Sequence, residues 1–212
     1  MTSPPTVLLR RDTPADASEV ASIVGQAFGA DEPEVPLLVE ALRPFSVFGS
    51  RLGDDGGPAA PLALVAEVAG ELVGHVMLSK GHIDAWQRMV PTLVLSPLAV
   101  LPDHQRTGVG TALIAGALEL GRAVGSPAVF LEGSPTYYSR RGFLPATPLG
   151  FRRPSLRVPL PAFQVVLLPA HEQWMTGTLV YPAPFWEFDS VGLRDRALVE
   201  KIEGAGPPSA RS

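Results

Sequence analysis

The fold is decided by two neighbouring stretches, LSPLAVLPDHQRTGVGTAL at residues 95–113 and LEGSPTYYSRRGF at residues 131–143. In the first stretch, an apolar run typical of a β-strand gives way to a glycine-containing turn and then at once to a helical pattern. Gly108 and Gly110 let the backbone approach a ligand without interference from a Cβ atom. The first turn of a helix carries unpaired N–H groups and partial positive charge, so this junction predicts a pyrophosphate site, to which Arg106 adds a cation.

Two well-known phosphate-binding loops do not fit this junction. A dinucleotide fingerprint needs a third glycine, and Leu113 stands at that position. A P-loop needs Gly-Lys-Ser/Thr, and no lysine lies near Gly110. On Gly108 and Gly110 alone, an ordinary loop-to-helix junction remains an alternative, and a nucleotide-binding domain of another kind remains a second one.

Patterns elsewhere in the chain predict a mixed α/β domain. Apolar runs predict strands at residues 7–10, 62–68, 72–78, 92–100, 128–131 and 163–168, the third of which continues toward Ile83. Helical spacing predicts helices at residues 36–42, 108–123 and 135–141 and another that starts at Pro14 with Thr13 as its cap. Gly142 is expected to end the helix before it, and residues 51–61 are expected to form a loop.

Composition limits the classes of protein to which the chain can belong. Its 212 residues, 46% of them hydrophobic and 18% charged, suffice for one folded domain with elaborations. The lack of cysteine excludes disulfides and an acyl-cysteine intermediate, and a net charge of −4 offers no overall basic field to nucleic acid. The four histidines lack metal-ligand spacing, so no metal is expected. Without a signal-peptide pattern or an apolar run of about 18 residues, we expect no membrane partner and a cytoplasmic location.

Three motifs in the same order as in a known family give the chain a resemblance to the Gcn5-related N-acetyltransferase (GNAT) superfamily. The run QRTGVG at residues 105–110 resembles the acetyl-CoA signature Q/R-x-x-G-x-G/A of that family. The run from Tyr138 to Phe143 resembles its later Tyr-x-x-x-Gly-Phe signature, and the hairpin VAEVAGELVGHVMLS at residues 65–79 resembles its second and third strands. The resemblance covers residues 7–150. The two consecutive tyrosines at 137 and 138 and the run YPAPF at residues 181–185 are similar to those of bacterial N-acetyltransferases of unassigned substrate.

The resemblance implies an architecture as well as a family. The fold class would be α/β, a GNAT-like acyl-CoA N-acyltransferase fold with a mixed, mostly antiparallel central sheet flanked by helices. Residues 1–150 would form the acetyl-CoA-binding core. Residues 151–203 would be a C-terminal extension that completes the sheet and is a candidate cover for the acceptor site, and residues 204–212 a flexible tail.

The resemblance also implies roles for individual positions. Acetyl-CoA would be the co-substrate, with its pantetheine arm paired to the backbone of residues 98–100 as though it were a further strand. Backbone amides of residues 106–111 would hold the pyrophosphate, Gln105 would shape the loop, and Tyr138 would point at the thioester sulfur as the catalytic group. The residues assigned to the cofactor are therefore Leu98, Ala99, Val100, Gln105, Arg106, Thr107, Gly108, Val109, Gly110, Thr111 and Tyr138.

The implied reaction is direct transfer of the acetyl group to a primary amine of a small molecule or peptide. A backbone N–H near Val100 would polarise the carbonyl, and a phenol would give a proton to the leaving thiolate. Many relatives carry a glutamate on the strand before the signature, but residues 92–100 contain no acid. Glu132, Glu67, His75 or a water molecule would then take the proton of the amine.

Each candidate residue also has a structural alternative. Tyr138 would otherwise be a packing tyrosine with a satisfied hydroxyl, and His75 a buried structural histidine. Arg140 and Arg141 would reach the CoA phosphates or carry solvated charges at a helix end. The aromatic segment at residues 171–190 would roof the acceptor site, form a patch for a homodimer, or pack onto the domain.

A second function class follows from the missing strand glutamate. The chain would then be a catalytically weak CoA-binding sensor or interaction module with the same fold. Release of CoA in the presence of a suitable amine separates the two classes, because a binding module would hold acetyl-CoA without turning it over.

Overall fold

The computed structural model describes residues 6–47, 61–193 and 196–204. The predicted loop at residues 51–61 lies outside the described residues except for Pro61, and the predicted tail lies outside them except for Gly204. Among the described residues, no helix has the length and apolar character needed to cross a membrane.

The strands are β1 (Val7–Arg11), β2 (Ala63–Val68), β3 (Glu71–Ala85), β4 (Met89–Val100), β5 (Ala128–Glu132), β6 (Leu144–Pro145), β7 (Phe151–Arg152), β8 (Phe163–Leu167) and β9 (Gly177–Val180). The helices are α1 (Ala17–Phe28), α2 (Val35–Leu42), α3 (Val109–Ala123), α4 (Pro135–Tyr138), α5 (Ala183–Glu187) and α6 (Arg196–Gly204). The six predicted strands correspond to β1–β5 and β8, and the four predicted helices to α1–α4. Thr13 and Asp16 form the expected cap, as a capping box on a short 3₁₀ turn that leads into α1.

The described strands form one sheet in the order β1-β2-β3-β4-β5-β8-β6, with β9 paired to the far half of β3 and to β7. All pairs are antiparallel except β4–β5 and β7–β9. The predicted hairpin joins β2 to β3 through Ala69 and Gly70, whose φ angles of 53° and 86° are the left-handed values of a type I′ turn. The strand after this turn does continue past Ile83, so β3 is long enough to pair with β2, β4 and β9.

Helices cover both faces of the sheet. One buried cluster lies beneath α1 and α2, and a second lies beneath α3, whose apolar residues repeat at the helical period and turn Leu113 and Ala117 onto the sheet. The segment after residue 150 shares the first cluster: Phe130 meets Phe151 edge to face at 4.9 Å and stacks on Phe163 at 5.8 Å. The described residues between 151 and 193 therefore supply strands and core side chains to the same folded unit.

The feature that positions the site is the separation of β4 from β5. Their parallel pairing is limited to Leu93 with Val129 and Val94 with Phe130. After this point β4 stays paired with β3, but between Leu95 and Leu98 it carries one residue more than β3, which is a bulge. A bulge bends the strand that holds it, and Pro97 is tolerated there because a bulge frees a backbone position from the ladder. The two strands diverge and leave a cleft between them.

Candidate active site

The cleft between the diverging strands has a volume of about 300 Å³. Residues 94–98 of β4 form one wall, and residues 132–134, which follow β5, form the other. Tyr138 lines the cleft from α4, and the C-terminal segment contributes Tyr181 and Phe185. The cleft thus brings together Leu98, Glu132 and Tyr138, three residues to which the sequence assigns separate roles.

Backbone groups of β4 face the open edge of this cleft at alternate residues. Leu101 N–H donates to the carbonyl of Val73 at 2.9 Å, and Gly74 lies opposite Val100 in the register. In an antiparallel ladder this makes Gly74 and Val100 a pair that does not exchange hydrogen bonds, so the N–H and C=O of Val100 point away from β3. The same alternation points those of Leu98 toward the open edge. The backbone groups of Ala99 face β3, so Leu98 and Val100 are the two residues of the expected three that offer a pairing edge.

The turn that leads into α3 is fixed by side chains from within the predicted signature. Gln105 Nε2 donates to the carbonyl of Val100 at 3.2 Å and so ties the turn to the end of β4. Thr107 Oγ1 donates to the carbonyl of His104 at 2.6 Å. Arg106 and Gly108 have φ angles of 62° and 102°, left-handed values that glycine adopts readily and that arginine adopts only when its surroundings hold it there.

The first turn of α3 presents backbone donors at this junction. Ala112 N–H bonds to the carbonyl of Gly108 at 3.0 Å, so the amides of residues 109–111 precede the first intrahelical bond. The Val109 side chain is buried and anchors the helix to the sheet. Beside these amides lies a second cleft of about 340 Å³, lined by Arg106, Gly108, Gly110, Thr111, Thr136, Tyr137, Arg140 and Arg141.

Tyr138 is held against the wall of the first cleft. Its ring lies over Gly133, where a Cβ atom would come within 2.4 Å of Tyr138 Cε2, and it meets Phe143 edge to face at 5.7 Å. Burial raises the pKa of Tyr138 above its usual value, the neighbouring Tyr137 raises it further, and Arg141 offsets part of the increase. The phenol is therefore protonated at neutral pH and is able to donate a hydrogen bond or a proton.

Tyr137 and Arg141 were not recognised in the sequence as parts of one arrangement. The Tyr137 hydroxyl lies 2.5 Å from where a Cβ atom of Gly110 would stand, so it covers the start of α3. Arg141 lies over the Tyr137 ring and donates through Nη2 to Thr111 Oγ1 at 2.8 Å. The available signal was a glycine in the first turn of a helix together with two consecutive tyrosines and two arginines, but only the fold reveals that they meet.

Of the three side chains considered as proton acceptors, Glu132 is the one that lines the cleft. Its Oε2 accepts the N–H of Gly192 at 2.8 Å, and it is hydrogen-bonded to the Tyr181 hydroxyl. Burial, followed by the charge of Glu132 and this hydrogen bond, raises the pKa of Tyr181 well above its usual value. Tyr181 therefore stays neutral and serves as a partner for the carboxylate.

The other two candidates lie elsewhere. Glu67 forms an ion pair with Arg10 at 2.6 Å on the outer strands of the sheet. His75 is fully buried and is hydrogen-bonded through Nε2 to Asp12 at 3.3 Å, in a network that Arg43 joins. This geometry favours the structural alternative for His75.

Some aromatic residues of the segment at 171–190 line the cleft, and others do not. Tyr181 and Phe185 are buried and line the cleft, with their rings 4.8 Å apart. Trp174 carries Arg88 over its ring at 5.3 Å, and Trp186 is 43% exposed. Within the part of the chain that the structure describes, no group of three or more metal-ligating side chains comes together.

The comparison with known proteins identifies the family. The model of the acetyltransferase (GNAT) family matches residues 31–151, more than half of the chain. The chain belongs to the GNAT family. The predicted membership is confirmed, and a family of acetyltransferases agrees with the predicted enzyme class, an acyltransferase. The similar protein YjhQ of Escherichia coli K12, named as an uncharacterised N-acetyltransferase, is 34% identical over 136 residues. That match covers 62% of this chain and 66% of YjhQ, slightly less than two thirds of its length.

Two solved structures of GNAT proteins show the same fold. YhbS from Escherichia coli, in complex with CoA, aligns with a TM-score of 0.69 and 23% identity over 87% of this chain and 94% of that one. A GNAT acetyltransferase from Brucella melitensis, in complex with acetyl-CoA, aligns with a TM-score of 0.63 and 25% identity over 85% and 98% of the two chains. The predicted fold class, α/β with a mostly antiparallel sheet flanked by helices, is confirmed.

Proposed function

We propose that this GNAT protein transfers the acetyl group of acetyl-CoA directly to a primary amine of a small-molecule or peptide acceptor. The observation that carries the proposal is the cleft between β4 and β5, which places an open strand edge, a neutral phenol and a carboxylate around one space. The complexes of YhbS with CoA and of the Brucella protein with acetyl-CoA support the choice of co-substrate.

Two parts of the protein would bind the two parts of acetyl-CoA. The pantetheine arm would lie along β4 and exchange hydrogen bonds with Leu98 and Val100. The pyrophosphate would rest on the amides at the start of α3, where the helix dipole and Arg106 favour negative charge. Gln105 and Thr107 would hold the turn between these parts in its bound shape.

The chemistry needs only groups that the cleft already contains. The amine nitrogen attacks the acetyl carbonyl carbon, whose oxygen is polarised by a backbone N–H near Val100, that of Leu98, which faces the open edge and lines the cleft. The carbon–sulfur bond then breaks, sulfur keeps the electron pair, and Tyr138 donates a proton to it. The nitrogen loses its extra proton as the amide forms, and that proton restores the phenol of Tyr138. A thiol has an ordinary pKa of about 8.5, below that of a phenol. Tyr138, which burial keeps neutral, therefore acts first as a hydrogen-bond donor to the departing sulfur, and its proton follows as negative charge develops there.

The amine must also lose a proton. An alkylammonium group has a pKa of about 10.4, so an acceptor arrives protonated at neutral pH. Glu132 lies in the cleft and is fixed by Gly192 and Tyr181, so we assign it as the acceptor of this proton, directly or through one water molecule.

The test is release of the CoA thiol from acetyl-CoA across a panel of amines, amino acids and peptides. We expect release that depends on the amine and yields one acetylated amine for each thiol. Tight binding of acetyl-CoA with no release from any acceptor would contradict the enzyme and support the sensor module instead.

A further inference from the structure

The second cleft, at the start of α3, is strongly cationic. Three guanidinium groups line it, those of Arg106, Arg140 and Arg141, and its lining residues include no carboxylate. The N-terminal end of α3 adds partial positive charge to the same space. A ligand with several negative charges is the kind that such a cleft attracts.

Arg141 joins the two elements that form this cleft. Its Nε and Nη2 donate to Thr111 Oγ1 on α3 at 3.2 and 2.8 Å, and its Nη1 donates to the carbonyl of Tyr137 on α4. Its guanidinium carbon lies 3.5 Å from the centre of the Tyr137 ring, which is cation–π geometry. These contacts use three of the five N–H groups of the guanidinium, so the fixed group keeps donors for an anion.

The cation–π contact with Arg141 holds Tyr137 so that its hydroxyl lies over the start of α3. The position of a Cβ atom on Gly110 would be 2.5 Å from that hydroxyl, so only glycine leaves room for the hydroxyl in this position. Tyr137 is 37% exposed, which makes a purely packing role a poor explanation of its position. A phenolic O–H beside free helical amides is a donor to a phosphate oxygen.

We propose that Tyr137 and Arg141 form a phosphate clamp, in which Tyr137 is a ligand of the acyl-CoA phosphates and Arg141 both positions Tyr137 and supplies a cation. This inference rests on the proposed function, because it needs acyl-CoA in the adjoining cleft. It assigns consecutive tyrosines to different parts of one ligand, Tyr138 to the thioester and Tyr137 to the phosphates.

The test compares two ligands that share the thioester and differ in the phosphates, acetyl-CoA and S-acetylpantetheine. Their affinities are measured by calorimetry for the wild type and for Tyr137→Phe and Arg141→Lys. A hydrogen bond to a charged group is worth about 10- to 100-fold in affinity, so each variant should bind acetyl-CoA about 10- to 100-fold more weakly. Binding of S-acetylpantetheine should not change, or should be too weak to detect already in the wild type. Lysine keeps the charge but cannot reproduce the forked geometry of arginine.

Two controls separate a phosphate ligand from a structural residue. Tyr138→Phe removes the same hydroxyl from the next residue and should leave the affinity for acetyl-CoA nearly constant. The melting temperatures of ligand-free Tyr137→Phe and wild type should agree, because a hydroxyl that serves the ligand contributes little to the empty fold.

Three results would overturn the clamp: unchanged acetyl-CoA affinity in Tyr137→Phe, an equal loss of affinity for both ligands, or a wild type that binds both ligands equally well. Failure of the proposed function is a different result. A wild type that binds acetyl-CoA through the clamp and transfers nothing refutes the enzyme and keeps the clamp, whereas a wild type that does not bind acetyl-CoA refutes both.

Discussion

Tyr137 and Tyr138 are consecutive residues whose rings meet edge to face, 4.9 Å apart at 85°, and they line different clefts. The rings point to different clefts because consecutive residues of a helix such as α4 project about 100° apart around its axis. One ring therefore faces the open edge of β4 and the other faces the start of α3. The same substitution at the two positions is expected to have opposite kinetic consequences.

Tyr138→Phe should lower turnover and leave binding almost intact. The change removes one hydroxyl and keeps the ring that packs on Gly133 and Phe143. Loss of a positioned general acid lowers kcat by about 10²–10⁴-fold. Steady-state kinetics with an active amine, together with calorimetry for acetyl-CoA, checks both parts. If turnover stays near normal, water or another group protonates the thiolate and Tyr138 is a wall of the cleft.

Gly110→Ala should be destabilising only while the Tyr137 hydroxyl is present. The new methyl group meets that hydroxyl at 2.5 Å but lies 3.8 Å from the ring carbon that carries it. We expect a loss of about 1 kcal/mol in the wild-type background. In the Tyr137→Phe background the same change should be neutral or stabilising by up to about 1 kcal/mol, since alanine favours helix over glycine. Denaturant unfolding of the wild type, the two single variants and the double variant gives the coupling energy between positions 110 and 137. Additive effects of the two changes would show that the hydroxyl does not cover Gly110.

Glu132→Gln should slow transfer at neutral pH far more than at alkaline pH. The amide keeps the size of the side chain but cannot take a proton from the ammonium group, so the rate should fall by about 10²–10⁴-fold near pH 7. The loss should shrink as pH approaches the pKa of the amine, because more of the acceptor is then already neutral. Glu67→Gln is the matched control, since Glu67 pairs with Arg10 away from the cleft. A Glu132→Gln protein with a normal rate and pH profile would leave water as the route for the proton.

Asp12→Asn should lower the free energy of unfolding at neutral pH and make that free energy depend less on pH in the acid range. Burial alone would raise the pKa of Asp12, but hydrogen bonds from His75 and Arg43 outweigh it and hold the pKa below its usual value. The stability contributed by the ionised form is complete above the unfolded-state pKa of about 3.9 and is lost as pH falls through the lower folded-state pKa. Breaking this buried pair should cost about 2–3 kcal/mol at pH 7, less than for a fully buried pair because Arg43 is partly exposed.

Urea unfolding at pH 7 and pH 3 checks this expectation against Asp103→Asn, which changes an exposed aspartate. The gap between wild type and Asp12→Asn should narrow at pH 3. An equal gap at both pH values would mean that the charge of Asp12 contributes nothing and that only packing was disturbed.

Sequence patterns were informative where local rules and the tertiary fold agree. The Ala69-Gly70 turn, the apolar stripe of α3 and the Gly108–Gly110 junction each need particular residue types over a short span, so the hairpin, the helix and the turn were predicted close to their observed limits. The short strands β6, β7 and β9 and the helices α5 and α6 were not predicted. All of these except α6 are two to five residues long, a length over which local propensity says little, and they are held by distant partners, as β9 is by β3.

In the candidate site, too, some features follow from local sequence patterns and others from contacts between distant elements. Motif spacing predicts the cofactor signature and Tyr138, but the covering of Gly110 by Tyr137 depends on how α4 packs against α3. The alternation that turns Leu98 and Val100 toward the cleft depends on the register of β4 against β3. Neither can be read from the order of residues, because both arise from contacts between elements.

Direct transfer of the acetyl group to an amine is tested most sharply by following an isotopic label on the acetyl group of acetyl-CoA. The label is followed through a single turnover with an amine that the thiol-release panel has identified. We expect the label to appear on the amine nitrogen in step with release of the CoA thiol. In Tyr138→Phe we expect both to appear together and about 10²–10⁴-fold more slowly. Label that stays on CoA although acetyl-CoA is bound, or thiol that is released while the label appears as free acetate, would contradict direct transfer to an amine.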